Sequence, residues 1–441
     1  MEILIRVVQF FLSLTILVLV HEFGHYIAAR LFKTRVEKFY IFFNPWFSLF
    51  KFKKGDTEYG LGWLPLGGYV KIAGMIDESM DKEQMKQPPK PDEFRSKKAW
   101  QRFIIMVAGV TMNVILAFII YIGLLWSFGE AYLPNSEVKN GVMVDSLMME
   151  AGLQTGDKML MVNGKEIQDF FQIVPTILIE KAQSITVLRG NDTLQLPIHS
   201  TLIRKIIKSK RTDLILPRFP VYIAGIPDSS INKTAGFQVN DKIIAVNDKY
   251  ISFYDEFKEE LKKHAGDSVV IKVLRQGKIV DIPVRVGKDG KLGVFIDTNL
   301  ARFYKFEKKH YNLWTAIPAG IKKTFRGISN YWKQLKLVFN KDVKGYEDVG
   351  GFITIGKIFP GTWDWYAFWQ LTAFLSIALA ILNIIPIPGL DGGHVLFLFI
   401  EIITGRKPSD KVMEIAQYIG FIILLFLLIY ANMNDIIKLF K

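Results

Sequence analysis

The chain has 441 residues, of which 50% are hydrophobic and 22% are charged, and its formal net charge is +14 at pH 7. Its mean hydropathy is nevertheless positive, so the apolar residues must be concentrated in segments, as they are in membrane proteins. The lack of cysteine excludes disulfides, thiolate metal sites and a cysteine nucleophile. Many Lys and Arg residues lie between apolar segments, which indicates membrane topology or lipid contact rather than nucleic-acid binding.

Four apolar segments are long enough to span a membrane as a helix of roughly 20 residues. The first runs from Ile3 to Val20 and continues, after a polar motif, to Phe32; it lacks the small-residue cleavage site of a signal peptide. The other three are residues 103–128, 365–387 and 415–430. The predicted fold is therefore a polytopic α-helical membrane protein with four transmembrane helices.

The stretch between the first two spans is apolar but not helical in character. Residues 39–52 are aromatic and β-prone, with Asn44-Pro45 as a predicted turn, and residues 60–72 contain too many glycines for a stable helix. The pattern predicts either a β-hairpin that enters the membrane while packed on protein, or a small soluble sheet beneath the membrane.

An internal repeat indicates two tandem domains of one fold. Residues 151–167 align without gaps with residues 235–251, and nine of the seventeen positions are identical. The repeated string resembles PDZ domains, although the second copy has Asn240 and Asp248 where glycine is usual. PDZ domains bind an extended peptide by adding it to a sheet edge, so the repeats are either peptide-binding modules or spacers that act as size filters.

The segment from residue 301 to residue 361 interleaves aromatic and basic residues. This composition suits an amphipathic helix at a membrane interface. The alternative is a solvated helix packed on the repeat domains.

The first span contains the sequence His21-Glu22-Phe23-Gly24-His25. On a helix, residues four apart lie on one face, so both imidazoles can bind one metal ion. Neutral imidazole is a good zinc ligand, and Glu22 lies next to the site as a candidate base. The alternative is a hydrogen-bonded polar patch between helices.

A zinc ion held by two histidines needs a third protein ligand and an open position. The third span ends in a sequence, from Asn383 to His394, in which two prolines and three glycines break the helix at membrane depth. A lone Asp391 would be costly there, and binding a cation would remove that cost. Asp391 is therefore the predicted third ligand, and His394 is the second choice.

The histidine motif, together with the Asn383–Gly393 string, resembles the site-2 protease family of intramembrane zinc metalloproteases over essentially the whole chain. The resemblance implies that His21, His25 and Asp391 bind Zn²⁺ and that Glu22 is the catalytic acid and base. It also implies that substrate backbone is bound by Asn383 and by the edge strand of a membrane-reentrant β-loop, at Gly67, Gly68, Tyr69 and Val70.

With this resemblance the chain divides into eight predicted segments: transmembrane helix 1 with the zinc motif (1–32), a cytoplasmic loop with the reentrant β-loop (33–101), transmembrane helix 2 (102–129), PDZ domain 1 (130–212), PDZ domain 2 (213–300), an amphipathic connecting segment (301–363), transmembrane helix 3 with the Asp-containing zinc loop (364–411), and transmembrane helix 4 with the tail (412–441).

The distribution of basic residues predicts the orientation in the membrane. The loop between the first two spans carries fourteen Lys and Arg residues, whereas the N-terminal side of the first span carries only Arg6. Because positive loops stay inside, this loop is expected in the cytoplasm, and the termini and PDZ pair in the periplasm of a bacterial inner membrane. The zinc site is then near the cytoplasmic side.

These features predict a regulated intramembrane protease that cuts a single-pass anti-sigma factor already trimmed by a first protease. A second enzymatic hypothesis is removal of signal-peptide remnants by the same chemistry. A third, of a different class, is a non-catalytic PDZ scaffold, but a scaffold has no need of Glu22. The expected partners are single-pass membrane proteins, peptide termini at the PDZ domains and the lipid bilayer, without nucleic acid.

Overall fold

The computed structural model describes residues 1–65, 67–75, 88–209, 211, 213–338, 350–407 and 409–439. Leu66 of the predicted substrate loop, and parts of the predicted 33–101 and 301–363 segments and of the tail, therefore lie outside the described residues.

The described residues form eleven α-helices, numbered in chain order: α1 (Glu2–Leu31), α2 (Ala99–Phe128), α3 (Ser146–Met149), α4 (Ile173–Ile179), α5 (Ser200–Ser209), α6 (Tyr254–Lys263), α7 (Leu313–Val338), α8 (Phe352–Ile358), α9 (Trp365–Ile384), α10 (Asp391–Thr404) and α11 (Asp410–Leu439).

The same residues form eighteen strands: β1 (Val36–Ile41), β2 (Phe43–Lys54), β3 (Thr57–Leu64), β4 (Tyr69–Ile72), β5 (Glu130–Tyr132), β6 (Val142–Val144), β7 (Lys158–Val162), β8 (Lys165–Glu166), β9 (Ser184–Arg189), β10 (Asp192–Pro197), β11 (Ile215–Pro217), β12 (Ile223–Gly225), β13 (Lys242–Val246), β14 (Lys249–Tyr250), β15 (Ser268–Arg275), β16 (Lys278–Arg285), β17 (Phe295–Ile296) and β18 (Glu307–Lys309).

Four of the helices, α1, α2, α9 and α11, are long and apolar enough to cross a membrane, which confirms the four predicted long apolar helices. The third was predicted to run to about Ile387, but α9 ends at Ile384. Ile385 is extended (ψ 136°), because a residue before a proline is disfavoured in the helical conformation.

Contacts divide the chain into two compact units. The membrane unit comprises residues 1–130 and the described residues from 310 onward, and the insert unit comprises residues 131–309.

Helix α2 is the centre of the membrane unit, since it packs against α1, α7, α9 and α10. Its buried residues recur every three or four positions, as a helix that packs on several neighbours requires. It approaches α1 closely at Gly24, where a Cβ atom would stand 2.5 Å from the carbonyl oxygen of Ala108. Small residues at such crossings are typical of membrane helices.

The β-prone stretch after α1 forms one mixed sheet in the order β2-β3-β1-β4. Val36 of β1 and Ile72 of β4 are buried in a core shared with α1 and α2, so the sheet is fixed to the spanning helices. The predicted turn at Asn44-Pro45 is wrong: both residues lie within β2, and the chain turns at Phe42, whose φ is 69°. β2 is an edge strand with a register shift here, where the missing proline N–H is tolerated.

In the insert unit the two repeat copies have the same sheet topology, β10-β9-β7-β8 in the first and β16-β15-β13-β14 in the second. Asp157 is buried and accepts hydrogen bonds from Arg189 at 2.7 and 2.8 Å. Asp241 makes the same pair with Arg275 at 2.8 and 2.7 Å. Asn240 adopts φ 73° where the first copy has a glycine, because asparagine tolerates the left-handed region.

The aromatic and basic segment forms α7, a long helix that packs against the spanning helices α2 and α9. The contact is close: a Cβ atom on Gly320 would stand 2.8 Å from the backbone nitrogen of Ile122. Trp314 on the same helix is 80% exposed. The helix therefore packs on the membrane-length helices and also has an exposed aromatic residue, and its place at a membrane interface stays a prediction.

Candidate active site

The two histidines of the motif lie one turn apart on α1 and are both buried, with 7% and 6% of their surfaces exposed. Glu22 follows His21 directly and is only partly buried. The helix thus directs both imidazoles into the bundle and leaves the carboxylate at its margin.

Asp391 reaches the histidines because the chain bends sharply between α9 and α10. Pro386 and Pro388 lie in the bend, and α10 begins at Asp391, so this residue opens a helix rather than lying within a loop. A carboxylate is favoured there by the helix dipole. Gly392 allows the bend, since a Cβ atom on it would stand 2.2 Å from the carbonyl oxygen of Ile385.

Helix α10 is also fixed to α2 by an ion pair. Arg102 Nη2 donates to Glu401 Oε1 at 2.5 Å, and the two side chains are only 8% and 14% exposed. Removal of one partner of a buried pair is costly, so this contact holds the helix that carries Asp391 in place.

The three candidate ligands meet at one point. His21 Nε2 and His25 Nε2 lie 3.0 and 3.2 Å from Asp391 Oδ2, and the two nitrogens are 3.2 Å apart. Tetrahedral zinc, with ligands at about 2.0–2.2 Å, places neighbouring ligand atoms roughly 3.3–3.6 Å apart. The triangle therefore fits zinc after a slight expansion, and three ligands leave a fourth position open, as catalytic sites require.

Helix α2 contacts the second nitrogen of each histidine. His25 Nδ1 lies 2.8 Å from the carbonyl oxygen of Ile105, and His21 Nδ1 lies 3.2 Å from the side-chain nitrogen of Asn113. Gly109, between them, provides space: a Cβ atom would stand 2.3 Å from His25 Nε2. Sequence reasoning missed Gly109 and Asn113, although a buried asparagine in an apolar span is itself a signal of a polar partner.

His394, the second choice for third ligand, lies outside this group. Its Nε2 accepts a hydrogen bond from Gln417 Nε2 at 2.9 Å, between α10 and α11. Among the described residues, the group at this site that could hold a metal ion consists of His21, His25 and Asp391.

A small cleft, partly open to the outside, lies between α1 and the sheet. Glu22 lines it, as do Gly67 and Gly68. Tyr69 and Val70 belong to β4 and pair with Tyr40 and Phe39 of β1. The structure thus brings the candidate base and two of the predicted substrate-binding glycines to one cleft, with the other two residues on the adjoining strand.

Asn383 lies close to the candidate ligands. Its Nδ2 is 3.3 Å from His21 Nε2, at the end of α9. A side-chain amide in this place can donate a hydrogen bond to a group held beside the metal position.

A buried His-His-Asp group with an adjoining glutamate, set among membrane-length helices, defines a membrane-embedded metalloprotease. A profile of peptidase family M50 matches residues 9–427. The chain belongs to this family, the site-2 proteases, and is a zinc-dependent metalloprotease of the membrane.

Curated relatives match over almost their whole length. The Regulator of sigma-E protease RseP of Escherichia coli is 29% identical over 455 residues, covering 98% of each chain. The Regulator of sigma E protease of Haemophilus influenzae is 28% identical over 453 residues, again covering 98% of each. A protein of Rickettsia conorii whose name describes a zinc metalloprotease is 30% identical over 447 residues, covering 99% of this chain and 100% of the relative.

Proposed function

We propose that the protein cuts a peptide bond within the transmembrane segment of single-pass membrane proteins. The observation that carries this proposal is the position of Glu22, which follows His21 on α1 and lines the same cleft as Gly67 and Gly68. All three residues of the triangle are proposed ligands, so the adjoining Glu22 is the proposed base.

In this proposal His21, His25 and Asp391 hold the zinc ion. Bound zinc would supply polarisation of the peptide carbonyl and activation of water. Glu22 accepts the proton of the attacking water and then donates it to the leaving amine. Asn383 donates a hydrogen bond from its amide to the substrate backbone next to the bond that is cut.

A transmembrane helix must be unwound before it is cut, because its backbone groups are already hydrogen-bonded to one another. Strand β4 offers a replacement, since it lies at an edge of its sheet beside the cleft. We propose that the substrate pairs with residues 67–70, which comprise the start of β4 and the two glycines before it, so that main-chain hydrogen bonds hold it extended.

The substrate proposed is an anti-sigma factor already trimmed by another protease. Two relatives are named as regulators of sigma E, which supports this choice over signal-peptide remnants. We further propose that the two repeats are PDZ domains and that they hinder substrates with a bulky outer domain. The ends of the insert unit pair as strands β5 and β18, so the whole unit can be removed at one point.

The test uses purified enzyme in liposomes with two forms of one single-pass substrate, one trimmed and one carrying its full outer domain. We expect the trimmed form to be cut, and mass spectrometry to place the cut within the membrane segment. A cut confined to residues outside that segment would refute the intramembrane assignment. In cells, the inactive Glu22→Gln variant can be used to trap bound substrates. If these are signal-peptide remnants alone, the anti-sigma choice is wrong.

A second arm replaces residues 133–306 by a short Gly-Ser linker and keeps the β5–β18 pair. Because the proposed catalytic groups all lie outside this region, the shortened enzyme should still cut the trimmed form. It should now also cut the full-length form, if the repeats act as a filter. A zinc-loaded shortened enzyme that cuts neither form would show that the repeats deliver the substrate instead.

We propose that the repeats face the periplasm of the inner membrane and that the sheet of β1–β4 is cytoplasmic, with the zinc site near that side. The chain has no cysteine, so one introduced thiol reports its own location. An impermeant maleimide added to spheroplasts should label Asp248→Cys, an exposed site in the second repeat, and should not label Lys53→Cys in β2. Labelling of Lys53→Cys and not of Asp248→Cys would show the opposite orientation.

A further inference from the structure

Resting on the proposed ligand set, we infer that Asn113 is a positioning residue, whose side-chain oxygen accepts a hydrogen bond from Nδ1–H of His21 and so fixes this ligand for zinc. Asn113 lies in the middle of α2 and is fully buried, with 0% of its surface exposed. Its Nδ2 is 3.2 Å from His21 Nδ1. Its Oδ1 is buried and has no hydrogen-bond partner among the described residues.

The chemistry of imidazole decides which atom of Asn113 should face His21. A neutral imidazole has one N–H group, so if Nε2 binds the metal, Nδ1 carries the hydrogen and can only donate. An amide nitrogen also only donates, so Nδ2 facing Nδ1–H would be two donors in contact. Rotating the amide by half a turn exchanges its two ends, and Oδ1, the atom without a partner, then accepts from His21 Nδ1.

His25 shows the same arrangement with a main-chain acceptor. Its Nδ1 lies 2.8 Å from the carbonyl oxygen of Ile105 on the same helix. One face of α2 carries Ile105, Gly109 and Asn113, which are spaced four residues apart. The carbonyl oxygen of Ile105 is the acceptor for His25, Gly109 leaves room for the rings, and the side chain of Asn113 is the proposed acceptor for His21. Metal-bound histidines typically donate their other N–H to such an acceptor, which fixes the ring and the tautomer.

The competing explanation is that Asn113 only joins helices, as buried polar residues in membranes often do. Its backbone already serves this purpose, because the carbonyl oxygen of Asn113 accepts a hydrogen bond from Ser376 Oγ of α9 at 2.7 Å. That bond is independent of the side chain. The side-chain amide lies against the ring of His21, so the interaction with the ligand is what remains for it to perform.

The experiment measures the zinc affinity of the purified full-length protein by competition with a chelator, for Asn113→Leu and Asn113→Asp. Leucine is similar in size and has no acceptor, so the affinity should fall by about 10–100-fold. A carboxylate accepts from Nδ1–H but cannot donate, so Asn113→Asp should remain within a few-fold of the natural protein. If instead Nδ2 donates to His21, the aspartate variant should lose zinc at least as severely as the leucine variant, which would overturn the inference.

Thr372→Val is the matched control. It removes a buried hydrogen bond between α9 and Ser13 of α1, at 3.0 Å, without touching a candidate ligand. We expect its zinc affinity to be unchanged, and an equal loss in Thr372→Val and Asn113→Leu would mean that Asn113 acts only in helix packing.

If the aspartate variant does not fold, the proton NMR spectrum of the zinc-loaded natural protein provides the test. The Nδ1–H signal of His21 must then be as protected from exchange as that of His25. If His21→Ala leaves zinc affinity unchanged, the ligand set itself fails.

Discussion

Replacing Glu22 by glutamine is expected to abolish cleavage while zinc remains bound. Glutamine keeps the size of the side chain but cannot accept a proton, and proton transfer by a positioned group contributes typically 10²–10⁴-fold to a rate. Glu22 lies at the edge of the triangle rather than within it, so the affinity for zinc should change little. Elemental analysis of zinc per protein, beside a cleavage assay, tests both expectations on one preparation.

The control is Glu150→Gln in the insert unit, where the carboxylate pairs with Lys205 on an exposed surface. It should leave zinc content and cleavage unaltered. Loss of metal together with activity in Glu22→Gln would place Glu22 among the ligands. Retained activity would require another base in the cleft.

Replacing Asp391 by alanine is expected to deplete the protein of zinc, whereas His394→Ala should keep most of it. Asp391 supplies the one carboxylate of the triangle, and its charge offsets that of the dication where water is scarce. The loss in affinity should exceed the roughly 10–100-fold that removal of an outer hydrogen-bond partner costs. His394 instead pairs with Gln417, so its loss affects helix packing.

Chelator competition on both purified variants provides the measurement. If zinc is lost from the His394 variant and kept by the Asp391 variant, the third ligand has been misassigned. Comparable loss in both would mean that the contact between α10 and α11 is needed to hold Asp391 in place.

The sequence predicts the candidate metal ligands better than it predicts the residues of α2 that contact them. His21 and His25 are visible because their spacing is that of one helical turn, and Asp391 because a charge at membrane depth is costly without a partner. The same argument applied to Asn113 would have predicted a polar partner, but an amide carries no charge and its contact lies 92 residues away in the chain. Gly109 could not be found this way, since its role depends on which helix faces it.

Local patterns were least reliable where the sheet determines the backbone. Asn44-Pro45 is a good turn sequence, yet it lies within an edge strand, because an irregular edge tolerates a proline. The opposite case is Ile385-Pro386, where α9 ends at Ile384, directly before this pair and three residues before the predicted end at about Ile387. A proline ends or kinks a helix, because the helix needs the backbone N–H that proline lacks. At the margin of a sheet that N–H is not needed, so proline is tolerated.

The positions of His25 and Asp391 have a consequence for the folding of the membrane unit. They lie 366 residues apart in sequence yet their side chains meet. If these residues bind zinc as proposed, the ion would crosslink two distant parts of the polypeptide and close a loop that includes the entire insert unit. Long loops are the most costly to close by chance, so such a clip removes more entropy from the unfolded chain than a local one would. In this proposal the metal that the reaction needs would also stabilise the fold, because its binding would be coupled to the packing of α10 against α1.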